Sequence, residues 1–378
     1  MEGPRLWAWS GFAAVLWGAG LPIYLLAPAY YAETYGLSLT ALGTVLFALR
    51  LFDVVQDPLF GWISERLRAR RSTVVALAGC ALGLAMVGLF AVPPPVAPLL
   101  WFAVTVTALF SAFSFLTINF YAQGVAKAQD LPGGHVRLAA WREAGALLGV
   151  CACAVAPTAL APVTDAPYAV FAWGFAAAAF LVVLAMRGEW SATSTAPSMP
   201  IRRLLTDSAT RRLLLLALVN ATPLAVSSTL FVFFVDAVLA APGWEGALLV
   251  LFFLAAAASA PGWSWLAERY GARPVLLGAM VFAIVVFACV LTLGPGDVAL
   301  FAVICIASGA TIGADLVLLP ALFARRMAAL GTDGAQGFGL WAFATKFTLA
   351  FAAAVLLPLL DSAGFDPAAE TVPEAALT

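Results

Sequence analysis

The sequence predicts an all-α integral membrane protein built from two pseudo-symmetric helical bundles. Three observations carry that expectation: composition, the length of the apolar blocks, and the one-sided placement of the basic residues. Of 378 residues, 63% are hydrophobic and 10% charged, whereas soluble domains carry about 25% charged residues. Mean hydropathy is +1.00. The apolar blocks approach the ~20 residues that cross a ~30 Å hydrocarbon core. Backbone polar groups in hydrocarbon must be bonded within their own segment, so blocks of this length are helices.

Eleven spans are expected. The first, Leu6–Tyr31, is too long for a signal-peptide core and lacks a basic leader, so it reads as a retained helix. Thr40–Ile63, Thr73–Val92, Pro98–Gly124, Leu138–Ala161 and Tyr168–Met186 follow, each bounded by a polar or Pro/Gly-rich turn. The second set is Leu213–Val235, Trp244–Leu266, Pro274–Leu293, Val298–Phe323 and Phe338–Leu360. The chain divides into a six-helix bundle (1–187), a Ser/Thr/Ala/Pro-rich and then basic linker (188–212), a five-helix bundle (213–360) and an acidic tail (361–378).

Net charge is only −1, but its distribution orients the chain. Of nineteen Lys and Arg, Arg50 and Lys346 fall well inside spans, and the other seventeen cluster at one side. The opposite loops hold acids such as Glu33, Asp165, Glu245 and Asp297. Basic loops stay cytoplasmic, so the amino terminus is expected inside a bacterial inner membrane and the tail outside. The halves also echo each other. Glu65-Arg66 with Arg70 follows the second span, and Glu268-Arg269 with Arg273 follows the eighth, at the same spacing. Parallel six-helix repeats are the plan of the major facilitator superfamily. These five residues, Glu65, Arg66, Glu268, Arg269 and Arg273, are the expected cytoplasmic gate. A twelfth helix is missing from the expected plan, as in a truncated reading frame, and Phe343, Phe347 and Phe351 should then face lipid or another subunit.

Ionisable groups inside spans are costly and mark function. Arg50, Asp53 and Asp57 lie at spacings of three, four and seven, on one helical face that Gly61 continues. Two carboxylates one turn apart make a hard oxygen site that suits Na⁺ or Li⁺, or that shares a proton. By helical rise, Asp57, Asp53 and Lys346 lie roughly 9, 15 and 12 Å from the inner ends of their helices. Ser114 and Asp315 fall at similar depth. Five cysteines sit in apolar blocks, where they read as packing residues, and the one histidine, His135, sits in a polar loop. No nucleophile–base set, metal site or phosphate loop can be assembled, which argues against an enzyme and against a cofactor.

The string Arg50-x-x-Asp53-x-x-x-Asp57-Pro58-x-x-Gly61 resembles the glycoside–pentoside–hexuronide:cation symporter family, the melibiose-carrier type. The resemblance runs through the Arg142 region to Lys346. It implies a cation site of Asp53, Asp57, Gln56 and Ser114, and a charge network with Arg50 and Lys346. The two carboxylates that bind galactoside in the melibiose carrier fall on Trp17 and Thr117 here. Tyr121 and Arg142 stand at matching positions, and Asn119 and Asp315 are the polar groups available to compensate, so the candidate substrate contacts are Trp17, Thr117, Asn119, Tyr121, Arg142 and Asp315, with Trp17 equally readable as helix packing. The expected function is symport of a small solute, a sugar or glycoside, by alternating access in a monomer surrounded by lipid. No nucleic acid partner is expected. A proton-coupled exporter or lipid transporter of the same fold, and a non-transporting membrane sensor, stay open.

Overall fold

The computed structural model describes the backbone of residues 5–20, 23, 26–131, 134–190 and 199–362. Among the described residues there are α-helices, short 3-10 or π turns, and no strand. The helices are α1 Leu6–Gly18, α2 Ala27–Tyr35, α3 Leu39–Arg66, α4 Arg71–Phe90, α5 Pro98–Lys127, α6 Gly134–Leu160 and α7 Pro167–Ala185. The rest are α8 Ile201–Thr206, α9 Ser208–Phe233, α10 Glu245–Tyr270, α11 Ala272–Ala288, α12 Val298–Ala329 and α13 Ala335–Ser362. Nine helices among the described residues are long and apolar enough to cross a membrane.

The first span holds α1 and α2, and Gly20, Ile23 and Leu26 between them are in helical or π-helical backbone. Three details differ from the sequence reading. The linker contains a short helix, α8, and α9 starts five residues earlier than the apolar block suggests. His135 belongs to the first turn of α6 rather than to a loop. The acidic tail lies outside the described residues from 363 onward.

The largest core cluster joins α1, α4, α5 and α7 of the first half. A second cluster, centred on α12, includes Val125, Val136, Ala139 and Ala140 of the first half. Small residues set the closest approaches, as expected where lipid is as apolar as the side chains and packing decides association. A Cβ on Gly145 or Gly149 of α6 would collide with the Ser10 or Ala14 carbonyl of α1. This contact holds α1 and α6 backbone to backbone and fixes Trp17 relative to Arg142. The side chains of Phe343, Phe347 and Phe351 face outward, their rings stacked 6.0 Å apart in sequence along α13.

Asp207 caps α9, accepting from Thr210 N at 2.8 Å and from Thr210 Oγ1 at 2.7 Å. Arg326 of α12 grips the same carboxylate with a guanidinium fork, Nε lying 2.9 Å from Oδ2. The Arg326 fork and the cap bonds hold this carboxyl well below the usual carboxylate range. A depressed folded value means that its stabilisation is complete above the ordinary Asp range and is lost as pH falls below it. Asp207→Ala is therefore expected to lower the unfolding temperature at neutral pH, the cap alone contributing ~1 kcal/mol. The gap to the parent protein should narrow as pH drops below about 4. A gap that widens toward acid would contradict this.

Candidate functional site

Helix α3 is turned inside out relative to a soluble helix. Ser38 caps its start, accepting from Ala41 N at 3.2 Å. Leu51, Phe52, Val55 and Leu59 point outward, while Asp53, Gln56, Asp57, Gly61, Ser64 and Glu65 are buried. The polar stripe follows the helical spacing and faces α5 and α13. The approach to α13 is close because two glycines meet there. A Cβ on Gly61 would lie 2.9 Å from the Ala335 carbonyl, and one on Gly339 would lie 2.8 Å from that of Asp57.

This approach brings Lys346 of α13 between the two aspartates. Its ammonium lies 2.9 Å from Asp53 Oδ2 and 3.0 Å from Asp57 Oδ1. It also donates to Ser114 Oγ at 3.3 Å, and Ser114 donates to Asp57 Oδ1. Gln56 Nε2 donates to Asp53 Oδ1 at 2.8 Å, and Ser111 donates to Gln56 Oε1 at 3.0 Å. Asp57 Oδ2 is buried without a hydrogen-bond partner. Four expected cation-site residues and Lys346 thus converge, with Ser111 as an unforeseen sixth. Ser111 sits one turn before Ser114 on the same face of α5, which was the available signal. Arg50 stands one turn from Asp53 on that stripe, half-buried. Two carboxylates and one ammonium sum to a formal charge of −1.

The expected substrate residues separate into three places. Tyr121 of α5 is the centre of the first. Its ring stacks on Phe338 at 4.7 Å between centroids, meets the edge of Trp17 at 6.0 Å, and lies under the Arg142 guanidinium at 4.0 Å. Arg142 pairs with Glu143, Nη2 lying 2.8 Å from Oε1, and both are buried. The Tyr121 hydroxyl donates to the same Glu143 oxygen at 3.5 Å. Thr117, one turn away on the Tyr121 face, returns its hydroxyl to the Phe113 carbonyl at 2.7 Å. The cavity touching Tyr121, Arg142, His135 and Pro320 holds about 10 Å³, room for one water.

Asn119 is placed elsewhere. It is fully buried, accepts from Ser64 Oγ at 2.8 Å and donates to the Phe115 carbonyl at 2.8 Å, tying α5 to α3. Its side chain is thus committed to helix packing, so it does not join the Tyr121 set. Asp315 on α12 is the third place. Its neighbour is Asn220 of α9, and its Oδ1 has no hydrogen-bond partner.

At the end bearing the basic loops the halves are latched, largely by residues that the sequence reading missed. Arg71 Nη2 lies 2.5 Å from Asp333 Oδ2, both side chains at most 2% exposed. Arg71 Nη1 donates to Gln123 at 3.3 Å, and Gln123 donates to the Glu189 carbonyl at 2.7 Å. Glu189 receives Trp9 Nε1 at 3.2 Å and lies 3.8 Å from the Lys127 ammonium. Glu65 accepts from Gln336 across the halves and from Met199 N at 3.2 Å. Of the five expected gate residues, Glu65 alone bonds across the halves among the described residues. Arg66 lies over Trp62 at 3.9 Å and Arg269 over Trp265 at 5.7 Å. Glu268 and Arg273 line two separate surface grooves. A lone acid within a basic-end turn was the signal that could have singled out Asp333.

Long apolar helices around a buried ionic cluster define a membrane transporter of the major-facilitator fold, not an enzyme. The chain belongs to the MFS/sugar transport protein family, whose model matches residues 7–378. A bacterial homologue of the iron transporter ferroportin, solved in an outward-facing state, superposes with a TM-score of 0.71 at 15% identity, covering 94% of this chain and 93% of that one. The Escherichia coli fucose:proton symporter FucP superposes with a TM-score of 0.66 at 12% identity, covering 98% and 94%. These likenesses concern the fold. A 106-residue stretch is 31% identical to the probable nitrate/nitrite transporter NarK2 of Mycobacterium tuberculosis, and it spans 28% of this chain and 26% of that protein.

Proposed function

We propose that this chain is a cation-coupled symporter of the glycoside–pentoside–hexuronide type, moving a small solute by alternating access between its two helical bundles. The observation that carries the reading is the −1 cluster of Asp53, Asp57 and Lys346, with one buried carboxylate oxygen unpartnered. One monovalent cation or one proton neutralises it. The donors around it, Asp53, Asp57, Gln56, Ser111 and Ser114, are all oxygen, which suits Na⁺, Li⁺ or H⁺. In this reading the Lys346 ammonium holds the cation's place until the ion arrives, then withdraws from Asp57. The solute lies between Trp17, Thr117 and Tyr121, with Arg142 and Glu143 as a neutral hydrogen-bonding pair that suits hydroxyl groups. Asp315 on the second half offers a further acceptor. Arg71, Asp333, Glu65 and Gln336 close the basic end.

A thermal-shift screen of purified protein tests this, with sugars and glycosides against Na⁺, Li⁺ and pH. Stabilisation by Na⁺ or Li⁺ that is lost in Asp57→Asn is expected. Stabilisation that follows pH alone assigns a proton. No response to any ion or to pH overturns the coupling.

Orientation gives a separate expectation. Basic loops predict residues 188–212 in the cytoplasm and 237–245 outside. A single cysteine at Ser198, a position outside the described residues, should resist impermeant maleimide in intact cells. One at Pro242, exposed in the opposite loop, should label. The reverse pattern would invert the topology.

A further inference from the structure

The two seams between the halves are built differently. On one side α3 meets α13 across Gly61 and Gly339, and the Arg71–Asp333 and Glu65–Gln336 contacts latch the basic end there. On the other side α6 meets α10. That seam is sealed toward the midplane, where Leu147 packs with Ala256 and Ala257. Among the described residues no ion pair joins α6 to α10. Toward the basic end the seam holds a groove of about 400 Å³.

The chemistry of the groove comes from Arg137, Trp141 and Leu148 of α6 and from Ser264, Trp265 and Glu268 of α10. Arg137, Trp141 and Leu148 stand four and then seven residues apart on one face of α6, so the groove runs roughly 16 Å from Arg137 toward the membrane midplane. Trp141, Leu148 and Trp265 point outward on helices long and apolar enough to cross a bilayer, so this face meets lipid. Helix α10 runs opposite to α6, which sets Glu268 at the same end as Arg137. Neither Arg137 nor Glu268 makes an ion pair with a described residue. The mouth of the groove thus offers one cation from the first half and one anion from the second. Between them stand two indoles, a ring system that sits at headgroup level and attracts an ammonium.

We propose that this groove binds one phosphatidylethanolamine from the leaflet at the basic end, with its phosphate on Arg137, its ammonium on Glu268 and an acyl chain along Trp141 and Leu148. Each charge of the zwitterionic headgroup then has its partner. A phosphate takes paired N–H bonds from a guanidinium, and a primary ammonium donates charge-assisted bonds to a carboxylate. Phosphatidylglycerol brings no cation for Glu268 and sets its own negative charge against that carboxylate. Phosphatidylcholine keeps the charge pattern but has no N–H to donate. Because Arg137 belongs to the first half and Glu268 to the second, the bound lipid spans the seam. The site shares no residue with the ion cluster or the aromatic cradle.

Native mass spectrometry of the purified full chain reads the preference, with phosphatidylethanolamine, phosphatidylcholine and phosphatidylglycerol of matched chains titrated in turn. One retained phosphatidylethanolamine is expected, favoured about tenfold over each of the others, the effect of one charge-assisted bond. Glu268→Gln should bring phosphatidylethanolamine down to the level of phosphatidylcholine and raise phosphatidylglycerol binding. That gain is a result that misfolding does not produce. Arg137→Gln should weaken the two zwitterionic lipids together, while Arg187→Gln, at the same end but outside the groove, keeps the parent order. A photo-crosslinker at Leu148 should capture lipid. Equal binding of the three lipids by the parent chain, a preference for phosphatidylglycerol, or a parent order that survives Glu268→Gln overturns the proposal. So does a crosslink to another segment of this chain or to a second copy, because a polypeptide then fills the groove.

Discussion

Replacing Asp57 with Asn is expected to leave a folded protein that no longer accumulates solute against a gradient. Asp57, Asp53 and Lys346 carry a formal −1 together, and the substitution takes that to zero. Lys346 keeps Asp53 at 2.9 Å, so the ammonium is still paired. The α3–α13 contact therefore survives while the electrostatic reason for holding a cation is gone. Asp53→Asn removes the same unit of charge and leaves Lys346 on Asp57 at 3.0 Å. Both variants should lose ion-driven uptake in membrane vesicles by tenfold or more, on the order of the 1.4 kcal/mol per decade that any weakened ion contact must exceed. Their thermal stability should stop responding to the coupling ion. Lys346→Met behaves differently. It leaves two adjacent buried carboxylates without their cation, and breaking a buried pair costs about 3–5 kcal/mol. That variant should be the least stable of the three. Uphill, ion-driven uptake retained by both aspartate variants would sink the cation-site reading.

Asp333→Asn is expected to open the basic end. Asp333 meets Arg71 at 2.5 Å with both side chains at most 2% exposed. Without the carboxylate, Arg71 is a buried cation facing only neutral side chains, the introduced amide and Gln123 at 3.3 Å. An uncompensated buried charge costs about 3–5 kcal/mol, and the protein avoids that cost by letting water reach Arg71 as the halves part. A bias of that size moves a two-state equilibrium by more than a hundredfold. Spin labels at Ala69 and Ala329, exposed positions at the same end of each half, should report a longer distance in Asp333→Asn. The exchanged pair Arg71→Asp with Asp333→Arg should restore the shorter one. An unchanged distance in the single variant would remove Arg71 and Asp333 from the latch.

The fold was legible in the sequence because bilayer physics acts on composition directly. Long apolar blocks, basic residues on one side and the repeated Glu-Arg spacing need no tertiary information. The α3 stripe was legible for the same reason: Asp53, Gln56 and Asp57 are near neighbours on one helix, and their burial follows from period and charge. Lys346 was recoverable because a lone lysine inside a span demands a partner. What escaped was set by contacts between distant segments. Arg71 and Asp333 each read as ordinary turn residues, and only the fold places them together across 262 positions. Asn119 reads as a cavity residue until Ser64 is found against it. Glu143 was passed over beside Arg142, although two adjacent opposite charges near a span's end form a neutral pair that can be buried.

Helix α5 has a property that follows from its being one unbroken rod. Ser114, bonded to Asp57, and Tyr121, stacked on Phe338 and capped by Arg142, lie seven residues apart on the same face. That is two turns, roughly 10 Å along the axis. A displacement of one end is a displacement of the other, so events at the ion cluster and at the aromatic cradle share a mechanical coordinate. Thermodynamic linkage then imposes a symmetry on measurement. Whatever factor the ion adds to solute affinity, the solute must add to ion affinity. A titration of ion binding with the cradle filled and empty therefore yields the coupling constant without any transport assay.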